Sequence, residues 1–455
     1  VPVVSGPIAL TTAVRDPGHG YPFNASLIDL PKQGYVEEEF FLQGTARSYD
    51  VPRDQASNAT PGEGTKPFKT RLVVRRPTSP GRFNGTVIVE WTNVSEGFDN
   101  EVDWFHSGAH LVRAGYAWVG VSAQRVGVDA LKQWSPARYG TLDVTAGGTV
   151  MNDALSYDIF AAAGLAIRGK ANAGVMGNLK VDRLIATGHS QSAGRLATYF
   201  NSVHPLSPVY DAVVLHGGGG KMRTDLTVKI WKLLSESDVL GQVGTRQPDT
   251  DKYRTWEVAG ASHLDVTHAN ALVDLGLRSA STRLPSPPPA PSGGGGRGGP
   301  PFGGPPGPYN GCQRPPLSPI PSEYVQNAVY DHLVRWIKDG TLPPAAPPIQ
   351  IKTDGGRPSI VRDSVGNAVG GIQLAEQAVP TGVSTGENTG SGFCFLTGSR
   401  EDFDAAKLAS LYPTHAAYVS AVKAVTDKNL KAGYIVKADA RATVAAAERS
   451  GIGKR

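Results

Sequence analysis

Ser190 stands in the run Gly188-His189-Ser190-Gln191-Ser192-Ala193-Gly194, after the apolar stretch Leu184-Ile185-Ala186 and before the helix-forming residues 195–200. A short strand, a sharp turn of small residues around one serine, and a helix are the parts of a nucleophile elbow. The chemistry of such a turn is attack of a hydroxyl on a carbonyl. The serine is held at a strained bend, and the free N–H groups and dipole of the following helix N-terminus favour the anion that forms there. Strand and helix would collide unless the residues flanking the serine were small, and Gly188, Ser192, Ala193 and Gly194 meet that demand. Ser192 replaces the last glycine of the G-x-S-x-G pattern, a mild departure. A pattern of five residues also occurs in ordinary turns, so the reading depends on partners elsewhere in the chain.

A serine hydroxyl is a poor nucleophile until a base takes its proton, and that base must be held by a third group. Where such a triad is built on an α/β sheet, the acid and then the histidine follow the serine in chain order, each on a loop after a strand. Two loops fit. Ser235-Glu236-Ser237-Asp238 follows the apolar strand ending at Leu234, and Ala259-Gly260-Ala261-Ser262-His263 follows the strand ending at Val258. His263 is the expected base and Asp238 the expected acid, with Glu236 as the alternative acid. His268 is the fallback base, His204 is less suitably placed, and Asp265 is expected to cap its loop. The oxyanion needs two N–H donors. One is expected from Gln191, directly after the serine, and the other from the loop Trp91-Thr92-Asn93-Val94, with Asn93 and Val94 as candidates. Trp91, His189 and Gln124 are candidates for lining the substrate pocket. Cys and His show no zinc-type spacing, and the chemistry calls for no metal or other cofactor.

The elements that must position these residues alternate. Strand patterns cover 35–42, 70–76, 85–91, 116–122, 184–186, 211–216, 228–234 and 253–258, with helical patterns at 106–114, 154–167, 195–200 and 322–340. Short apolar strands alternating with helices imply a mostly parallel sheet covered on both faces, an α/β architecture. The expected organisation is a β-rich extension over 1–80, a catalytic core over 81–342 interrupted by the Pro/Gly-rich insertion 285–308, and a loop-rich, then helical, extension over 343–455. The insertion cannot bury enough apolar surface to fold alone and reads as a loop.

The 455 residues suffice for a large core, and a net charge of +5 with no basic helix argues against a nucleic-acid partner. No apolar run is long enough to span a bilayer. Cys312 and Cys394 are the only cysteines. They suit one disulfide of an exported protein, or two buried thiols. Four Asn-x-Ser/Thr sequons begin at Asn24, Asn58, Asn84 and Asn93, and a glycan on Asn93 would block the site proposed there. The chain begins with Val, as removal of a leader or trimming would leave it. A secreted or periplasmic location is expected.

The chain resembles the alpha/beta-hydrolase domain-containing proteins grouped as the tenth α/β-hydrolase type. The likeness rests on Gly34-Tyr-Val-Glu-Glu-Glu-Phe-Phe-Leu-Gln-Gly-Thr-Ala, Val89-Glu-Trp-Thr-Asn-Val-Ser-Glu-Gly, Gly115-Tyr-Ala-Trp-Val-Gly-Val-Ser-Ala-Gln, Gly188-His-Ser-Gln-Ser-Ala, Ser235-Glu-Ser-Asp and Trp256-Glu-Val-Ala-Gly-Ala-Ser-His. Asp363-Ser-Val-Gly-Asn-Ala-Val-Gly-Gly-Ile and Leu411-Tyr-Pro extend it into the tail. It covers nearly the whole chain except the Pro/Gly insertion. It implies an α/β-hydrolase fold and hydrolysis of a carboxylic ester through an acyl-enzyme, and it leaves the small-molecule substrate and the oligomeric state open. An acyltransferase or amidase using the same triad is the alternative, as is a non-catalytic binding protein on the same fold.

Overall fold

A computed structural model of the chain describes residues 2–169, 173–278 and 311–454. The Pro/Gly-rich stretch 285–308 lies outside the described residues. The chain forms two compact units. The first takes the chain through Ile230 with the segment beginning at Asn270, and the second takes Trp231–Ala269 with the C-terminal residues.

The first unit is built on a sheet whose strands lie in the order Val3–Ser5, Tyr35–Ala46, Lys66–Pro77, Ala117–Val121, Thr86–Trp91, Arg183–His189 and Ala212–His216. The last four pair in parallel, whereas the β-rich N-terminal stretch adds antiparallel strands at one edge. The central strands Thr86–Trp91 and Ala117–Val121 are buried at every residue, as strands covered on both faces must be. Helices Val102–Arg113, Arg125–Trp134, Ser156–Arg168 and Gln191–Thr198 join them. The helix at Arg125–Trp134 was not apparent from the sequence pattern.

The antiparallel edge carries buried charge. Glu39, Arg71, Arg75 and Glu101 are fully enclosed. Arg71 and Arg75 are four apart on one strand and so share a face, and the register sets Glu37 opposite Arg75. Glu39 accepts from Arg71, from Arg138 Nε at 2.7 Å and from the Tyr139 hydroxyl at 2.6 Å. Arg75 reaches Glu37 and Glu101 at 2.6 Å each, and its guanidinium lies 4.5 Å from the rings of Trp104 and of Trp118. Burial pushes the Glu101 carboxyl up to about 7 despite these cations.

The second unit contains the strand Tyr253–Val258, which opens into the loop bearing His263, and most of the strand Lys229–Ser235, which runs directly into helix Glu236–Gln242 where the sequence suggested a loop. Helix Ser322–Asp339 ends at Gly340, whose φ of 75° supplies the left-handed terminating residue. Two small hairpins follow, Ile351–Asp354 with Arg357–Ile360 and Gly382–Thr385 with Ser399–Asp402. Helices Ala405–Leu411, His415–Ala432 and Lys437–Arg449 complete the chain. Ile349, Ile360 and Ala368 share one core with Leu234, Val239 and Ala259, which lie at or just beyond the ends of the two strands. Cys312 and Cys394 are joined as a disulfide. Among the described residues no helix is long and apolar enough to cross a membrane.

Removing one member of a buried ion cluster leaves its partners uncompensated, which costs about 3–5 kcal/mol. Glu39→Ala is therefore expected to lower the unfolding free energy by about that amount in urea titrations, whereas Lys32→Ala, whose pair with Asp29 is exposed and screened by solvent, should leave the urea midpoint unchanged.

Candidate active site

The elbow is formed as its residue types require. Strand Arg183–His189 ends directly before Ser190, and helix Gln191–Thr198 begins directly after it. Ser190 has φ 61° and ψ −116°, a conformation that costs a non-glycine residue energy and persists only where its surroundings enforce it. Its N–H donates to the carbonyl of His216 on the neighbouring strand at 2.8 Å. A Cβ on Gly188 would stand 3.0 Å from both the Leu196 and Ser192 side chains, and one on Gly218 would stand 3.1 Å from the Ser190 carbonyl. Gly194 differs, because a Cβ there meets nothing within 4 Å, so its smallness is not what the turn requires.

The loop after strand Thr86–Trp91 is bonded to both sides of the elbow. Ser192 donates to the Thr92 carbonyl at 3.2 Å, which gives the residue replacing the usual glycine a bond of its own. The Asn93 amide donates to the His189 carbonyl at 2.8 Å. The Asn93 backbone N–H donates to the Asn100 carbonyl at 3.0 Å, so it is already engaged and does not suit the oxyanion role expected of it. Asn93 braces the elbow instead. Being buried, with both ends of its amide bonded, it also does not present its sequon in the folded chain. Val94, half-buried, and Gln191, at the helix N-terminus, remain the donor candidates.

The three pocket candidates are interior residues. Trp91 is fully buried against Phe160 and bonded through its indole N–H to Gln124 at 2.9 Å. Gln124 is buried with it. His189 is buried edge-on to His216, ring centroids 4.6 Å apart. Large aromatics at the end of a buried strand serve first as core, and that decides Trp91. An open cleft of about 590 Å³ elsewhere in the first unit is lined by Arg47, Lys66 and Met151 among others, and none of its lining residues belongs to the elbow.

Sequence reasoning missed a second carboxylate–imidazole pair beneath the turn. Asp103 Oδ1 lies 2.7 Å from His216 Nδ1, and Asp103 Oδ2 accepts from Thr187 on the elbow strand at 2.7 Å. Burial opposes ionisation of Asp103, but the bond and charge of His216 outweigh it and hold the carboxyl below its usual range. His216 and Asp103 are 113 positions apart, and no local pattern joins them.

The second unit holds the acid and base candidates. Asp238 is the third residue of helix Glu236–Gln242 and forms a capping box with Ser235, accepting its N–H at 2.8 Å and its hydroxyl at 2.7 Å. These bonds occupy Oδ2. The other oxygen, Oδ1, lies 2.6 Å from His263 Nδ1, and both residues are buried. Burial raises the cost of ionising Asp238, but the His263 imidazole and the Ser235 donors outweigh it and keep the carboxyl below its ordinary range. An ionised carboxylate only accepts, so the proton of the short bond sits on Nδ1. Glu236 is occupied elsewhere, by Arg362 at 2.7 Å and by the N–H groups of Gly260 and Gly386. Asp265 caps helix Val266–Arg278 through the His268 N–H. His204 accepts the N–H groups of Val209 and Tyr210 at Nε2, which burial and those bonds require to be unprotonated. Burial lowers its imidazole to about 4.

A family model described as an alpha/beta hydrolase domain, tenth of its type, matches residues 4–445. The chain belongs to this family. No curated protein sequence matches this α/β hydrolase. Among solved structures it is similar to an α/β serine hydrolase without a lid from Xanthomonas campestris, at 14% identity, covering 54% of this chain and 97% of that one with a TM-score of 0.29. It is also similar to esterase Est22, at 10% identity over 55% of this chain and 80% of that one, TM-score 0.31. A methylesterase, BT1017, gives 13% identity over 62% and 58%, TM-score 0.29. Among the described residues of this hydrolase, no group of three or more His, Cys, Asp or Glu side chains is arranged to hold a metal ion.

Two outcomes follow from this geometry. Gly188→Ala should overpack the elbow and cost about 1–3 kcal/mol, while Gly194→Ala, in open space within a helix, should be neutral or stabilise by up to about 1 kcal/mol; thermal unfolding of the two variants separates them. The His204 imidazole takes up a proton in the unfolded chain near its ordinary value of 6.5 but in the fold only near about 4. Its contribution is thus fully present above 6.5 and is lost as pH falls through that window, by up to about 3 kcal/mol. Denaturant titrations between those pH values should show a shallower slope for His204→Gln.

Proposed function

We propose that this α/β hydrolase is a serine carboxylesterase with Ser190 as nucleophile, His263 as base and Asp238 as acid. The observation that carries the reading is the Asp238–His263 bond, which fixes the imidazole in the tautomer a serine base needs, in a chain whose one elbow serine is held at a positive φ. In the proposed reaction Ser190 Oγ attacks the ester carbonyl carbon while its proton passes to His263 Nε2. Asp238 stabilises the imidazolium. The backbone N–H groups of Gln191 and Val94 receive the oxyanion, Val94 replacing Asn93 in that role. The tetrahedral intermediate then collapses, the C–O bond to the alcohol breaks, and His263 returns the proton to the departing oxygen. Water, deprotonated by the same imidazole, attacks the acyl-enzyme, and Ser190 recovers its proton as the acid leaves. No step calls for a metal or cofactor. The Cys312–Cys394 disulfide supports placing the protein in an oxidising compartment, secreted or periplasmic.

A fluorophosphonate probe followed by mass spectrometry tests the reading. Stoichiometric labelling at Ser190 is expected, lost in Ser190→Ala, together with a fall in kcat on p-nitrophenyl esters of roughly 10⁴–10⁶-fold. Labelling at another residue, or full esterase activity in Ser190→Ala, would overturn it.

A further inference from the structure

Glu236 is fully buried two residues before Asp238, and its carboxylate is saturated by three groups from distant parts of the chain. Oε2 accepts the Gly260 N–H at 2.7 Å, at the start of the loop that carries His263. Oε1 accepts the Gly386 N–H at 3.0 Å and pairs with Arg362 at 2.7 Å. Arg362 also bonds Glu387 at 2.9 Å. A second route runs beside the first. The Ser237 hydroxyl donates to the Gly386 carbonyl at 2.7 Å and accepts the backbone N–H of His263 itself at 3.3 Å. The approach is close enough that a Cβ on Gly386 would stand 2.3 Å from the Ser237 nitrogen, so only glycine fits. Farther along, Leu264 N–H donates to the Leu396 carbonyl at 2.9 Å, and the Ser318 hydroxyl reaches the Gly260 carbonyl at 2.5 Å. The Cys312–Cys394 disulfide closes this same stretch of chain.

The start of the helix bearing Asp238 and the loop bearing His263 are therefore held by the segment 362–398 as well as by their own strands. A buried carboxylate that meets two backbone N–H groups and a guanidinium is costly to enclose unless all three bonds are made. The same requirement fixes the relative position of the three segments. We propose that residues 362–398 act as a positioning strap for the Asp238–His263 dyad, with Glu236 as the positioning residue that fastens it. Glu236 acts through the His263 loop and contacts no reacting atom. This proposal rests on His263 being the catalytic base.

The leaving group separates positioning from mere stability. A p-nitrophenolate departs without being protonated, whereas the alkoxide of an ethyl ester needs the proton of His263, so a misplaced imidazole penalises the ethyl ester more. Misplacement of about 1 Å costs on the order of 100-fold. The full-length Glu236→Gln variant is compared with the natural protein on ethyl and p-nitrophenyl esters of the same acid, per active site titrated with fluorophosphonate. Arg362→Gln is run in parallel, because its partly exposed side chain can be changed without opening the core. The expected result in either variant is a fall of roughly 10–100-fold for the ethyl ester and a severalfold smaller one for the p-nitrophenyl ester. Equal falls for the two esters, or none, would overturn the strap. His263→Ala is the control for the underlying reading: full activity there removes the base assignment itself, whatever Glu236 does.

Discussion

A serine at φ 61° between a buried strand and a helix is the constraint on which the first unit depends. The conformation is unfavourable for a residue with a side chain, and it survives because its neighbours leave no alternative. Gly188 and Gly218 let strand, helix and the following loop approach it. Hydrogen bonds from Ser190 to His216, from Asn93 to His189 and from Ser192 to Thr92 then tie the turn to the strands on either side. Beneath it, Asp103 joins the elbow strand to the next through Thr187 and His216. Strain at Ser190 is thus balanced by bonds made elsewhere in the sheet.

Buried charge is the second organising feature, and each unit uses it in the same way. In the first, Glu39, Arg71, Arg75 and Glu101 lie inside the antiparallel edge. In the second, Glu236 and Arg362 join loops far apart in sequence. Such groups contribute little net stability compared with apolar residues of the same shape, but a partly satisfied arrangement is expensive. They therefore disfavour alternative pairings of the segments they join. Arg75 adds a further element, because its guanidinium also lies over the rings of Trp104 and Trp118.

Local chemistry was the most legible part of this chain. The elbow, the strand ends that carry Asp238 and His263, and the parallel strands each show a pattern within a dozen residues, because strand and helix periodicity and small turn residues are local properties. The family likeness extended that reading through the tail. Less legible were the helices at Arg125–Trp134 and Glu236–Gln242, which are short and whose burial is decided by neighbours.

The architecture and the chain order of the proposed serine, acid and histidine are legible in the sequence alone, since both follow from residue type and spacing. Only the tertiary structure decided which carboxylate meets His263. Asp238 and Glu236 are two positions apart, and the choice between them turns on Ser235 on one side and on Gly260, Arg362 and Gly386 on the other. It also decided that Asn93 braces the elbow and that Trp91 belongs to the core. Periodicity tells which face a residue occupies. It does not tell which group, 25 or 150 positions away, will fill the last hydrogen-bonding site there.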